Sequence, residues 1–476
     1  MNETFSRQSY PLDLHQERYL RRVGHVFFWV MLAGCAFFAP ERMLNCDASY
    51  YSFHVINYGT PFIIHDRYAN YLLQYPVLWA IDMGADLRTA LTVYSMMGFV
   101  WFYALYCVLV HGMKTTLGGI FLILALCLSM RYKHYAGHTE ITVALAVSSV
   151  LFVWLWGYAR HRRHSLLHFG GVLLLCLWLY FIHPVVIIPL GMVLLADMLY
   201  HQRWKEVRHW ISLSIVGLTF FVKFFREVIS NTYESGKVSA LADFQNVFLN
   251  PSEYKGVYSV MGHYLTIEYI FLLPLFIFSI VLLFKAKYKL LAFYFLLCFL
   301  FLILFNLVLH TYLGGHVYFM IDGYLGMLGM PVGLCLIYAL SHSRFKTGIH
   351  HILMAIILVS TLQIGSKSRF YRKRLKMIEK TFEMNEGHVK LYVKLDRYHW
   401  EKMWYPYEIP SDALIYTSLK GKEHSKTIYV DSDGRYSDKD TLDGFRYFEG
   451  VKPLNPKFFK LPDEEYHRTD KVGWKE

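Results

Sequence analysis

Asp47, in the stretch Cys46-Asp47-Ala48-Ser49-Tyr50-Tyr51, is an acid with space around it in the sequence, and paired tyrosines follow it. The same segment carries His54, His65, Asp66 and Arg67. A chain can fill a bilayer without any of these groups, so their density points to chemistry, or to ligand binding, at one surface. A plainer reading stands beside this one. Tyr50, Tyr51, Tyr58 and Tyr68 would form an interfacial aromatic belt, and Asp47 would cap a helix beginning at Ala48.

A second cluster runs Arg131-Tyr132-Lys133-His134-Tyr135-Ala136-Gly137-His138-Thr139-Glu140. Glu140 stands at the mouth of an apolar run, where an unpaired carboxylate is costly, so it must pair, protonate or face water. Arg131, Lys133, His134 and His138 can supply charge-assisted donors to a phosphate or diphosphate head group. The alternative is a loop whose charges bracket the bilayer. Further candidates are His183 at a Pro184 turn, the Lys223 and Arg226 pair, which snorkelling explains, and Tyr254, Tyr258, His263 and Glu268. His310, His316 and Asp322 surround Gly314-Gly315.

Hydrophobic residues make up 55% of the chain and charged ones 18%, and the apolar residues come in runs rather than at amphipathic spacing. The fold class expected is an α-helical polytopic membrane protein of about eleven transmembrane helices. Its spans fall near 22–40, 87–110, 115–130, 139–158, 169–183, 185–200, 209–226, 264–284, 290–309, 320–341 and 349–365. Residues 68–82 are apolar but carry Asn70, Gln74, Pro76 and Asp82, and read as a helix lying in the interface. The net charge of +12 would point to nucleic acid in a soluble chain, yet much of the Lys and Arg sits in short loops between apolar runs. Membrane topology accounts for it without a polyanionic partner.

Those basic residues alternate along the loops. One set gathers Arg7, Arg18, Arg21, Arg22, Lys114, Arg160, Arg162, Arg163, Arg203, Lys205, Arg208, Lys285, Lys287, Lys289, Arg344 and Lys346, whereas the intervening loops are poor in them. The positive-inside rule then puts the N-terminus in the cytoplasm and the Asp47 loop (41–86), Arg131–Glu140 and everything after about residue 366 on the opposite face. The polar start and the lack of a small-residue cleavage signal read as a retained first helix that serves as its own insertion signal. The cytoplasmic loops contain no GxxxxGK[ST] and no GxGxxG, so energy or activated substrate must come from the membrane or the far side. Six of the seven cysteines lie in apolar runs, which leaves neither a disulfide framework nor a CxxC metal site.

Residues 366–476 are different in kind. A basic helix over Phe370–Glu386 and short strands at Lys390–Leu395, Leu414–Ser418 and Lys426–Val430 predict a small extracytoplasmic α/β domain after the 1–365 transmembrane domain. The run Asp431-Ser432-Asp433-Gly434 with Asp438 and Asp440 lacks regular calcium-loop spacing and reads as a solvated turn.

This arrangement resembles the GT-C superfamily of integral membrane glycosyltransferases, which use polyprenyl-phosphate-linked sugars. Asp47 with Tyr50-Tyr51 is similar to the family's acidic motif on a long first outer loop, 48–82 to its interfacial helices, and Glu140 to its second acid. The motif likeness covers 22–160, and the remainder is similar in topology only. The acid is single, where many members have two adjacent. The resemblance implies an inverting transfer from a lipid-linked sugar to an acceptor on the extracytoplasmic face, and the compact chain with short cytoplasmic loops is expected in a bacterial inner membrane. Asp47 would be general base, Arg131, Lys133, His134 and His138 would hold the donor phosphate, and Glu140 would orient the acceptor or help Asp47 bind a divalent cation (Mg2+ or Mn2+). Tyr50, Tyr51, His54, His65, Asp66 and Arg67 would line the acceptor cavity. Two alternatives remain: a polymerase or ligase of the O-antigen type, against which the long loop 227–263 is poor in Arg, and a transporter or assembly subunit, against which no internal repeat is evident.

Overall fold

A computed structural model describes residues 12–64, 67–137, 140–158, 166–229, 244–313, 318–343, 345–394, 403, 406–431, 443–447 and 450–474. The first helix, α1 (Leu14–Phe37), starts earlier than the expected span at 22. Its polar first turns are helical because Asp13 and Gln16 form a reciprocal capping box: the Gln16 amide donates to Asp13 Oδ1 at 2.8 Å and the Asp13 amide to Gln16 Oε1 at 3.1 Å. After it come α2 (Ala39–Met43), α3 (Cys46–Tyr58) and α4 (Tyr71–Asp82). At 12 residues and with Pro76 inside it, α4 is too short to span alone. It lies against α5 (Leu87–Cys107), whose last turn widens into a π-helix over Val108–Gly112.

Next are α6 (Thr116–Ser129), α7 (Glu140–Tyr158), α8 (Leu166–Tyr180), α9 (Ile187–His201) and α10 (Val207–Ile229). Among the described residues, five helices are long and apolar enough to cross a membrane: Leu14–Phe37, Leu87–Gly112, Lys289–Leu309, Asp322–Ser341 and Lys346–Glu383. A sixth results if Lys255–Glu268 and Leu272–Lys285, bent by 73°, count as one. Four more of the expected spans coincide with shorter apolar helices, Thr116–Ser129, Glu140–Leu155, His168–Tyr180 and Ile187–His201.

The centre explains some of that shortness. Every residue of α6 and of the helix Gly329–Ser341 is buried, so neither meets solvent or lipid on any side. Close approach rests on small residues: a Cβ on Gly326 would lie 2.4 Å from the Ser129 carbonyl oxygen, and one on Gly329 2.7 Å from that of Ala125. Outward, Leu218, Phe221, Ile277, Phe293, Leu297 and Leu362 are exposed, an apolar exterior of the kind that faces lipid.

The loops collect at two ends. At one, Gln16 Nε2 donates to the Thr347 carbonyl at 2.8 Å, Arg21 Nε to Thr116 Oγ1 at 3.2 Å, and Tyr200 stacks on Tyr338 with centroids 4.0 Å apart. At the other, the Ala69 amide donates to the Phe181 carbonyl at 3.4 Å, and the segments around Asp47 and Lys133 meet the C-terminal region.

That region begins with the helix Ser368–Glu383, which runs on from Ile349–Ser366. Strands β1 (Lys390–Lys394), β2 (Thr427–Asp431) and β5 (His467–Arg468) form a parallel sheet of order β2-β1-β5, and β3 (Phe445–Tyr447) pairs antiparallel with β4 (Gly450–Lys452). The strand expected at Leu414–Ser418 is instead part of a helix, Ile409–Ser418. Parallel β1 and β2 require a crossover between them, and this helix supplies it, with Pro410 in its first turn and Ile409, Ala413, Leu414 and Ile415 buried. The acidic run after Asp431 lies outside the described residues; Asp431 itself accepts the Tyr392 hydroxyl at 2.8 Å.

Candidate functional site

Asp47 occupies the first turn of α3, which begins at Cys46, so it is not the cap of a helix starting at Ala48. The cap position belongs to Asn45, whose side-chain amide donates to the carbonyls of Glu41 at 2.8 Å and Tyr135 at 2.6 Å. Cys46 is left-handed, with φ of 50°, a conformation costly for a residue other than glycine. The chain thus turns sharply into α3 immediately before Asp47, which is half-buried.

One turn later the Tyr51 hydroxyl donates to Glu140 Oε1 at 2.9 Å. Glu140, 5% exposed at the start of α7, also pairs through Oε2 with Arg67 at 3.1 Å, and Asn70 Nδ2 reaches Oε1 at 3.5 Å. The burial cost of this carboxylate is therefore met by a charged partner and two neutral donors. Gly137 makes the juxtaposition possible. With φ of +55°, it brings the 131–137 turn so close to α3 that a Cβ would lie 2.3 Å from that of Ala48.

Lys133 is the centre of the arrangement. It is 6% exposed, and its ammonium makes no hydrogen bond or ion pair among the described residues, though Glu140, Asp322 and Asp47 draw on it from nearby. Burial lowers its pKa to about 8, against the pull of those acids. The side chain crosses Gly323 so closely that a Cβ there would be 2.1 Å from Nζ. Asp322 fixes the turn beneath it: one carboxylate oxygen accepts the amides of Arg131 at 2.8 Å and Lys133 at 2.7 Å, and the other accepts the Tyr269 hydroxyl. A narrow cleft lined by Phe99, Phe102, Met130 and Val143, and also by Arg42, His134 and Thr142, reaches the same lysine.

The other expected phosphate ligands are placed differently. Arg131 is 1% exposed, and its guanidinium donates to the carbonyls of Cys127 at 2.8 Å, Met130 at 2.6 Å and Glu268 at 3.2 Å while lying 4.9 Å from the Tyr269 ring. It closes the C-terminal end of α6. His134 is buried with its ring edge-on to Phe99 and Tyr135, and desolvation holds its pKa well below the usual histidine range, so it carries no charge at neutral pH. His138, His65 and Asp66 lie outside the described residues.

Tyr50 and His54 belong to an aromatic stack, with His54 on Phe62 at 4.0 Å and Tyr50 on Tyr447 at 5.8 Å. They join α3 to the C-terminal region, which walls the site. Arg374 donates to the Leu44 carbonyl at 2.6 Å and pairs with Asp412, while Ser49 and Ser411 share a 3.0 Å hydrogen bond. Glu408, fully buried, stands near Asp47 and Asp412, and desolvation raises its pKa well above the carboxylate range. Sequence reasoning missed Glu408 and Asp412, for which no local signal exists. It weighed Asp322 only as a flank of Gly314-Gly315, although an acid inside an apolar run is itself a signal.

Both Glu140 oxygens are engaged by Tyr51, Asn70 and Arg67, and among the described residues no group of three metal-ligating side chains includes Asp47 or Glu140. Compared with family models, curated proteins and solved structures, the chain returned no match, so the site has to be read from its own chemistry.

Proposed function

We propose that this is a multi-pass membrane glycosyltransferase that moves a sugar from a polyprenyl-phosphate donor to an acceptor hydroxyl at the Asp47, Lys133 and Glu140 site. The observation that carries this reading is the buried Lys133 ammonium, which has no bonded partner among the described residues, beside a narrow, partly apolar cleft and a half-buried acid. Glu140, Asp322 and Asp47 offset part of the cost of burying this cation, and an anion bonded to the ammonium would offset more of it. A phosphate on a lipid chain supplies both the anion and the apolar tail.

In the reaction, Asp47 takes the proton of the acceptor hydroxyl as its oxygen attacks C1 of the sugar, and the C1–O bond to phosphate breaks with inversion. The electron pair leaves on the lipid phosphate, whose charge meets Lys133. Glu140, held by Arg67 and Tyr51, positions α3 rather than transferring a proton. Arg131 and His134 shape the turn. No step runs through a metal ion.

The finer topology belongs to the same proposal. About eleven segments cross or enter a bacterial inner membrane, the N-terminus is cytoplasmic, and the site and C-terminal domain face outward. Purified protein in nanodiscs, offered undecaprenyl phosphate, should bind it with an affinity that falls at least about tenfold in Lys133→Met. Sugar transfer from undecaprenyl-phosphate-linked donors should fall by about 10²–10⁴ in Asp47→Asn while that binding persists. Equal binding by wild type and Lys133→Met would remove the basis of the proposal.

A further inference from the structure

At the end of the bundle opposite Asp47, a side chain of α1 meets two from the end of α5. His25, Cys107 and His111 each offer a ligand atom, and the three atoms lie within 4.8 Å of one another. Gly24 permits the approach, since a Cβ there would fall 2.1 Å from the Tyr106 hydroxyl oxygen. The π-helix at Val108–Gly112 carries His111.

The geometry points to a transition-metal site for Zn2+ that ties α1 to the end of α5. The Nε2 atoms of His25 and His111 are 3.3 Å apart. Two nitrogens bound at the usual zinc distance in a tetrahedron are separated by about 3.3 Å, so the imidazoles stand at the spacing of one coordination edge. The tautomer also suits: His25 Nδ1 lies 2.9 Å from the Tyr103 hydroxyl and can donate its proton to it, which leaves Nε2 as the ligand. An acceptor at the other ring nitrogen fixes the tautomer and orientation of a metal-bound histidine. A thiolate with two imidazoles is a set that a borderline-soft d10 ion prefers over Mg2+ or Ca2+. Binding releases the Cys107 thiol proton to solvent and forms one metal–sulfur and two metal–nitrogen bonds, with no change of oxidation state. The fourth position is left to water. His111 is exposed and the other two ligands half-buried, so the ion enters from the surface.

Full-length protein in detergent, stripped with a chelator, provides the test, with Zn2+ titrated by calorimetry and Co2+ as the optical probe. The expected result is one equivalent per chain, a thiolate-to-Co2+ charge-transfer band in the near ultraviolet, and intense visible bands of a tetrahedral ion. Cys107→Ser should abolish the charge-transfer band, His111→Ala should weaken Zn2+ at least about tenfold, and Tyr103→Phe should weaken it about 10–100-fold without removing the band. His111 is exposed, so its loss does not threaten folding. A band that persists in Cys107→Ser, or Zn2+ affinity unchanged in His111→Ala, would overturn the assignment. The result is independent of undecaprenyl phosphate binding at Lys133, so failure of either reading leaves the other standing.

Discussion

Lys133 sets two opposing expectations that need no knowledge of the sugar. Its folded pKa of about 8 lies below the ordinary lysine value, so between the two the unfolded chain binds more protons and stability rises with pH. Below about pH 8 the buried charge is a standing cost of about 3 kcal/mol. Lys133→Met should therefore raise the thermal midpoint at pH 7 while weakening phosphate binding, and a variant that lost both would mean that the lysine is structural. For the same reason kcat/KM should fall as pH rises through about 8, since the free enzyme then loses its ammonium, and that descending limb should be absent in Lys133→Met. Asp47→Asn should cost about 10²–10⁴ in turnover with little change in midpoint, because Asp47 is half-buried rather than enclosed.

At the scale of elements, the site depends on how closely a turn can approach a helix. Gly137 and Gly323 hold no side chain where one would strike Ala48 and the Lys133 ammonium. Gly323→Ala should displace Lys133 and reduce phosphate binding without unfolding the bundle, whereas Gly137→Ala also meets an unfavourable φ and should lower stability, both readable by thermal melt and binding titration. The Arg67–Glu140 pair ties the start of α7 to the 67–70 segment. Glu140→Ala removes the carboxylate that pairs with the buried Arg67, a loss of about 3–5 kcal/mol. If Glu140→Gln keeps most of the stability and most of the transfer, the role of Glu140 is positional; a loss of transfer alone would make it catalytic.

Across the whole molecule, the C-terminal region acts as a wall of the site rather than an appendage. Asn57 donates to the Pro453 carbonyl at 2.9 Å and accepts the Asn455 amide at 2.8 Å, Lys457 reaches the Ile81 carbonyl at 2.6 Å, and Arg374 bridges Leu44 and Asp412. Breaking the buried Arg374–Asp412 pair with Asp412→Ala should loosen that docking, and limited proteolysis within 384–476 should accelerate several-fold while the helical bundle stays protected. Unchanged cleavage would show that the aromatic stack of Tyr50 on Tyr447 suffices.

Sequence alone determined the membrane class, because runs of apolar residues admit no other solvent, and it identified the two polar clusters, because an acid beside a span is costly. Asp47, Glu140 and Lys133 were legible for that reason. What only the tertiary structure decided is the division of labour within the clusters. Arg131 and Lys133 are both basic and two positions apart, yet one closes a helix end on carbonyls while the other keeps its ammonium free of bonded partners among the described residues. Nothing in their types distinguishes them; the position of Asp322 and Gly323, nearly two hundred residues away in the chain, does. The helix at Ile409–Ser418 and the burial of Glu408 have the same origin, since a crossover and a domain interface exist only after distant segments pack. Apolar patterning reports the solvent each residue must avoid, and which partner it finds is decided by the assembled fold.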